Sequence, residues 1–305
     1  MTNIALIFPG QGAQKVGMGL EFYQASREAK CIFDSADDIC GNNLTKVTFE
    51  GPEEKLTSTA YCQPAILTMS VAALEAFRAH PKFKNYSVKF TAGHSLGEYA
   101  ALFASGAMDF SDILQLVQKR ATFMEQATQE NQGSMAAVLG FDKNKLKEIC
   151  LQTGAEIANY NSNEQIVISG STSKVLAAME AIKAAGGQKI IPLTVSGAFH
   201  SSLMASAASK FASVLKDAAI HQPVIPVLSN VTAQPHGDPQ QIRENLSRQI
   251  RHSVYWVDCV QYMASQGITH FIEIGPGRVL KGLIRRIDPA INVFNIEKPQ
   301  DIEAL

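Results

Sequence analysis

The sequence is poor in the features that announce metal, nucleotide or membrane chemistry. Its five cysteines, Cys31, Cys40, Cys62, Cys150 and Cys259, are odd in number and show no C-x-x-C spacing. That fits reduced, mostly buried thiols better than a disulfide framework or a zinc site. Seven histidines include no H-E-x-x-H pair, so no metal is expected. Neither sign of charge is in excess: 27 basic residues stand against 28 acidic ones, a net charge of −1. A chain-wide attraction to nucleic acid or to an anionic membrane is therefore not expected. Long apolar runs are also missing. Ile4 to Phe8 is too short for a signal sequence, no basic leader precedes it, and no segment approaches the roughly 20 residues of a membrane span. The expectation is a cytoplasmic protein. Two nucleotide fingerprints fail on single residues: Lys15 stands where G-x-G-x-x-G needs its third glycine, and Met18 follows Gly17 where a phosphate-binding loop needs lysine.

What is present starts with 305 residues of 46% hydrophobic composition, enough for one large domain, alone or carrying a smaller insertion. Gly93-His94-Ser95-Leu96-Gly97 is a G-x-S-x-G elbow. Val88, Phe90 and Ala92 alternate before it as in a strand, and Leu96 to Ser105 reads as an apolar helix after it. A strand turning sharply into a helix lifts the serine hydroxyl above a sheet and places the helix N-terminus beneath developing negative charge. Ser95 is thus the candidate nucleophile; the alternative is a tight turn whose serine only caps the helix.

Strand and helix signals alternate along the chain. Ile4 to Phe8 has the length of a buried parallel strand and ends in the turn-rich Pro9-Gly10-Gln11-Gly12. Helical periodicity covers about Pro64 to Arg78, with the proline expected in the first turn. Between Gln132 and Leu193 the order becomes β-α-β-β-α-β, the ferredoxin-like arrangement. Residues 129–195 are accordingly expected to form an insertion in an α/β domain made of residues 1–128 and 196–305. In that larger part PVLSNV (226–231) reads as a strand, helices are expected near Pro239 to Ile250 and Val257 to Gln266, and THFIEI leads through GPG into the helix RVLKGLIRRI.

Serine needs a base near neutral pH, and histidine suits that task. His94 adjoins Ser95, but neighbouring side chains diverge on a sharp elbow, so it is expected to shape the pocket. His200 follows the strand-like IIPLTV and the flexible Ser196-Gly197-Ala198, and is the candidate base, titrating near the ordinary histidine value of about 6.5. A hydrolase of this type places an acid shortly before the histidine, yet none lies between Glu180 and His200. A neutral group is expected to orient the imidazole instead. Arg120 shares the apolar face of the helix Asp112 to Met124 with Ile113, Leu116, Val117 and Met124. A guanidinium there either snorkels, pairs with a structural carboxylate, or binds an anionic ligand.

Six separated motifs complete the pattern: FPGQG from Phe8, GHSLGEY from Gly93, QKR ending at Arg120, GAFH ending at His200, RQIRHSVYW from Arg248, and EIGPG from Glu273. Together, and in this order, they resemble the malonyl-CoA:acyl carrier protein transacylases of bacterial fatty acid synthesis over essentially the whole chain. The resemblance implies an α/β hydrolase-like domain with a mostly parallel sheet and a ferredoxin-like insertion. It further implies Ser95 as the acylated nucleophile and His200 as base and later acid. Gln11 and Leu96 would supply backbone N–H groups to an oxyanion hole, and the Gln249 main-chain carbonyl would hold the histidine. Arg120 would grip the malonyl carboxylate, a role lysine's point charge could not reproduce. Gln63 matches a position near the pocket, or is simply a polar residue before a helix-starting proline. Phe199 would fill the space an α-methyl group needs. The implied partners are malonyl-CoA and the phosphopantetheine arm of an acyl carrier protein, with no cofactor and a monomeric enzyme. Arg278, Lys281, Arg285 and Arg286 on the last long helix form either a solvated face or a docking patch for an acidic carrier. A thioesterase, or a carrier-binding module without catalysis, would share parts of this pattern.

Overall fold

The computed structural model describes residues 1–41 and 43–305. One four-stranded sheet is wholly parallel, with strands β1 (Thr2–Phe8), β2 (Tyr86–Gly93), β7 (His270–Ile274) and β8 (Asn292–Ile296) in the order β2-β1-β7-β8. Strand β1 is central, which explains its unbroken apolar run: Ile4, Leu6 and Phe8 enter the core on one face, Ala5 and Ile7 the core on the other.

Helices fill both faces. α1 (Leu20–Ala25), α2 (Arg27–Cys40), α3 (Leu44–Glu50), α4 (Glu53–Thr57), α5 (Thr59–Ala79), α6 (Gly97–Ala104), α7 (Phe110–Glu130) and α10 (Ala205–Leu215) contribute buried side chains to the first core. α12 (Trp256–Ser265) and α13 (Val279–Ile287) cover the opposite face, where Trp256, Met263, Leu280 and Ile284 are buried. α11 (Pro239–Gln249) starts at an Asp238 cap that accepts the Gln241 N–H, and α14 (Pro299–Glu303) follows β8.

Two expectations are corrected here. α5 starts at Thr59, so Pro64 lies inside the helix and Gln63 is a buried helical residue, not a residue preceding a helix. Proline removes one intrahelical bond, and the helix persists because residues 62 to 74 are buried throughout. The segment 226–231 forms no full strand. Only Val227 and Leu228 make bridges: Thr91 N–H donates to Pro226 O and Leu228 N–H to Thr91 O, each at 2.9 Å. Pro223 and Pro226 lack the N–H a longer ladder requires.

The second sheet is antiparallel, with β3 (Gly133–Leu139), β4 (Glu156–Ser162), β5 (Gln165–Ser171) and β6 (Lys189–Pro192) in the order β4-β5-β3-β6. With α8 (Lys143–Thr153) between β3 and β4, and α9 (Thr172–Ala184) between β5 and β6, this is the ferredoxin-like order. Leu146, Ile149, Val175 and Ile182 from these helices bury its outer face. The loop after α11 fastens it to the rest of the molecule. Val254 N–H donates to Ala158 O at 2.8 Å, Tyr160 N–H donates to Val254 O at 2.9 Å, and Tyr160 stacks on Tyr255.

Candidate active site

The elbow between β2 and α6 holds Ser95 at φ 51°, a left-handed conformation that costs a side-chain-bearing residue on the order of 1–3 kcal/mol. Flanking glycines make it possible, since a Cβ on Gly93 would overlap the Gly97 backbone and one on Gly97 would overlap the Phe8 carbonyl. Hydrogen bonds hold the turn. Ser95 N–H donates to Asn230 Oδ1 at 2.6 Å, Asn230 Nδ2 donates to Gly93 O at 2.7 Å, and Gln249 Nε2 donates to Ser95 O at 3.0 Å.

His200, itself at φ 57°, brings Nε2 to 2.8 Å from Ser95 Oγ. Its Nδ1–H donates to Gln249 O at 2.8 Å, with His252 O at 3.2 Å as a second acceptor. Those carbonyls can only accept, so the proton sits on Nδ1 and Nε2 is free to take one from serine. The strand preceding His200 is β6, at the edge of the antiparallel sheet. Burial, reinforced by the nearby Arg120 charge, pushes the imidazole pKa down to about 3. The ordinary value expected from sequence does not hold, because the ring is buried.

Arg120 is buried, 1% exposed, beside the same hydroxyl. Nη1 donates to Gln63 Oε1 at 2.7 Å, and Nη2 reaches Ser95 Oγ and Gln249 Oε1, each at 3.1 Å. Its charge lies over the Tyr99 ring, 5.4 Å from the centroid. Among the described residues it forms no ion pair, and its Nε has no partner. A buried cation without an anion is costly. It is also ready to receive one.

Ser95, His200 and Arg120 open onto one cavity of about 360 Å³, walled further by Gln11, Leu96, Met124, Met135, Phe199 and Leu280. The N–H groups of Gln11 and Leu96 have no acceptor among the described residues. His94 stands in the same wall, with Nε2 bonded to Asn161 Oδ1 at 2.8 Å, and burial lowers its pKa. The structure therefore gathers Ser95, His200, Gln249, Gln11, Leu96, Arg120 and Gln63 at one place. Sequence reasoning missed Asn230, His236 and the role of Glu98. Glu98 was visible inside GHSLGEY, whereas Asn230 and His236 lie in a loop without local pattern. No group of three or more His, Cys, Asp or Glu side chains positioned to hold a metal occurs among the described residues.

A nucleophile, a base, unpaired N–H groups and a buried cation around one cavity suit acyl transfer, and comparison with known proteins agrees. The acyl transferase domain model matches residues 5–289. A malonyl CoA-acyl carrier protein transacylase of Bacillus subtilis is 42% identical over 99% of this chain and 96% of its own length. The chain belongs to the malonyl CoA-acyl carrier protein transacylase family. It is an acyltransferase. Among solved structures of this family, the acyl-carrier-protein S-malonyltransferase of Bartonella henselae has a TM-score of 0.94 at 36% identity, covering 100% of this chain and 98% of that one. A malonyl-transacylase in complex with its type II PKS acyl-carrier protein has a TM-score of 0.94 at 35% identity, covering 99% of this chain and 98% of that one.

Proposed function

We propose that this acyltransferase moves a malonyl group from malonyl-CoA to the phosphopantetheine thiol of an acyl carrier protein, through an ester on Ser95, and so supplies fatty acid chain elongation. The observation that carries this most directly is the buried Arg120 guanidinium, without a carboxylate partner, 3.1 Å from the Ser95 hydroxyl. A malonyl thioester needs such a cation beside the nucleophile, and an acyl group without a second carboxylate does not.

In the first half-reaction His200 Nε2 takes the Ser95 proton as Oγ attacks the thioester carbonyl. The N–H groups of Gln11 and Leu96 receive the oxyanion. As the tetrahedral intermediate collapses, the C–S bond breaks and His200 protonates the departing coenzyme A sulfur. The Gln249 carbonyl keeps the imidazole in the required tautomer throughout. In the second half the carrier thiol gives its proton to His200, its sulfur attacks the ester, and Oγ leaves with that proton, regenerating Ser95. Arg120 holds the malonyl carboxylate through both halves, and Gln63 orients the guanidinium. Phe199, on the cavity wall, limits substitution at the malonyl α-carbon.

The exposed Arg278, Lys281, Arg285 and Arg286 on and beside α13 offer an acidic carrier a docking face close to the cavity, since Leu280 and Leu283 of that helix line it. Residues 129–195 act as an inserted unit that closes the cavity over the elbow, and the enzyme works as a cytoplasmic monomer with no cofactor, nucleic acid or membrane partner.

Intact-mass spectrometry tests the central step. Exposure to malonyl-CoA should add one malonyl group to the protein and none to Ser95→Ala. Absence of the adduct at saturating malonyl-CoA would overturn the proposal.

A further inference from the structure

Behind the elbow lies a second buried charge that the mechanism above does not use. Glu98, on the first turn of α6, is 0% exposed. Its Oε2 accepts from Asn230 N–H at 3.1 Å and from Gln249 Nε2 at 2.6 Å, and its Oε1 accepts from His236 Nε2 at 2.8 Å. Both oxygens face only donors, so the carboxylate is ionised. On its far side the His236 ring is held by Asn245, whose Nδ2 lies 3.2 Å from His236 Nδ1.

Beside the elbow, a buried carboxylate, Glu98, thus stands close to a buried guanidinium, Arg120, that has no directly bonded anion among the described residues. The Gln249 side chain lies between them, accepting from Arg120 Nη2 through Oε1 and donating to Glu98 Oε2 through Nε2. Its amide dipole is oriented favourably toward both charges. Burial pulls the Arg120 pKa below its ordinary range, and the negative charge of Glu98 is among the influences that oppose this pull.

We propose that Glu98 is the remote counter-charge of Arg120, a positioning residue for substrate selection that stabilises and aims the guanidinium through Gln249 while leaving its cavity side open to an acyl carboxylate. A direct Glu–Arg pair would compete with the substrate for the same fork of N–H donors. One interposed amide keeps the attraction and removes the competition. This inference rests on Arg120 as the partner of the malonyl carboxylate.

The test compares malonyl-CoA with acetyl-CoA as donors in Ser95 acylation, using Glu98→Gln and Glu98→Asp. Loss of the charge should lower the malonyl-to-acetyl ratio of kcat/KM by about tenfold, the scale of one buried charge acting through an amide. Glu98→Asp, shorter but still charged, should recover part of that ratio. A role limited to bracing the elbow gives the opposite order: the isosteric Gln tolerated better than Asp, and both donors losing rate equally. Either result overturns the proposal. If Glu98→Gln does not fold, Glu98→Asp carries the test: lengthening the Glu98–Gln249 contact should still lower the malonyl rate selectively, and equal losses with both donors would overturn the proposal. Arg120→Ala separates the two levels. Equal losses there would reject the carboxylate role of Arg120 itself, whereas malonyl-selective loss there with unselective loss in the Glu98 variants would reject only the counter-charge.

Discussion

His200 stays neutral at pH values where an exposed histidine would be half protonated, because desolvation and the Arg120 charge both penalise the imidazolium and push its pKa down to about 3. Acylation by malonyl-CoA should therefore show no fall in kcat/KM as pH drops through about 6.5, the unperturbed histidine value. A fall centred there, measured by stopped-flow acylation, would contradict the burial argument. Removing the cation should move the acid limb: in Arg120→Ala it should rise toward ordinary histidine values. The same shift has a stability consequence of definite sign. The folded state binds the proton less readily than the unfolded chain, so this contribution is fully present above about pH 6.5 and declines by about 1.4 kcal/mol per pH unit as pH falls toward the folded value. His200→Asn should flatten the dependence of Tm on pH between 6.5 and 4.5 by about one proton. An unchanged slope would show that the imidazole is solvated. For Arg120→Ala, charge-assisted bonds of about 1.5–3 kcal/mol each predict on the order of a 10²-fold loss of malonyl transfer, with acetyl transfer nearly unchanged.

The turn from β2 into α6 is built from sterics that any short window of sequence carries. Gly93 and Gly97 are required because backbone passes where their Cβ atoms would lie. Gly93→Ala should displace Ser95 and cost about 10²-fold in acylation, the usual penalty for misplacing a reacting group by about 1 Å. Steady-state rates together with a melting curve would check it, and full activity with an unchanged Tm would refute it. Other elements were legible for similarly local reasons. β1 shows an unbroken apolar run because both its faces are covered, and the helices of the second sheet carry clear stops such as Gly154, which adopts φ 74° beyond α8. α1 to α4 were not assigned from sequence. They are short, and their stability comes from packing Phe22, Phe33, Val47 and Leu56 into the first core, which no local pattern records. β8 escaped notice because only Ile296 of its five residues is buried.

Across the molecule, the site exists because two sheets are held against each other. Ser95 belongs to the elbow at the end of parallel strand β2, His200 to the loop leaving antiparallel strand β6, and Gln249 to the last residue of α11, whose following loop pairs with β4 through Val254. The basic face of α13 belongs to the same scale, since its effect on an acidic partner depends on summed charge. Glu substitutions at both Arg285 and Arg286 should raise the carrier-protein KM by about tenfold or more and reduce its salt dependence, with Ser95 acylation serving as the control. An unchanged KM would place docking elsewhere.

From the sequence alone followed the serine elbow, the buried central strand, the β-α-β-β-α-β segment, the family motifs and the want of an acid near His200. These are encoded by steric, turn and periodic preferences acting over a few residues. Only the tertiary structure decided that the imidazole is neutral, that the His252 carbonyl joins that of Gln249 in turning it, and that Arg120 meets Glu98 through a glutamine amide. Those pairings join residues far apart in the chain, Ser95 and His200 being separated by 105 positions. Their geometry and desolvation arise when the packed sheets exclude water, a property of the assembled fold that no local stretch of sequence carries.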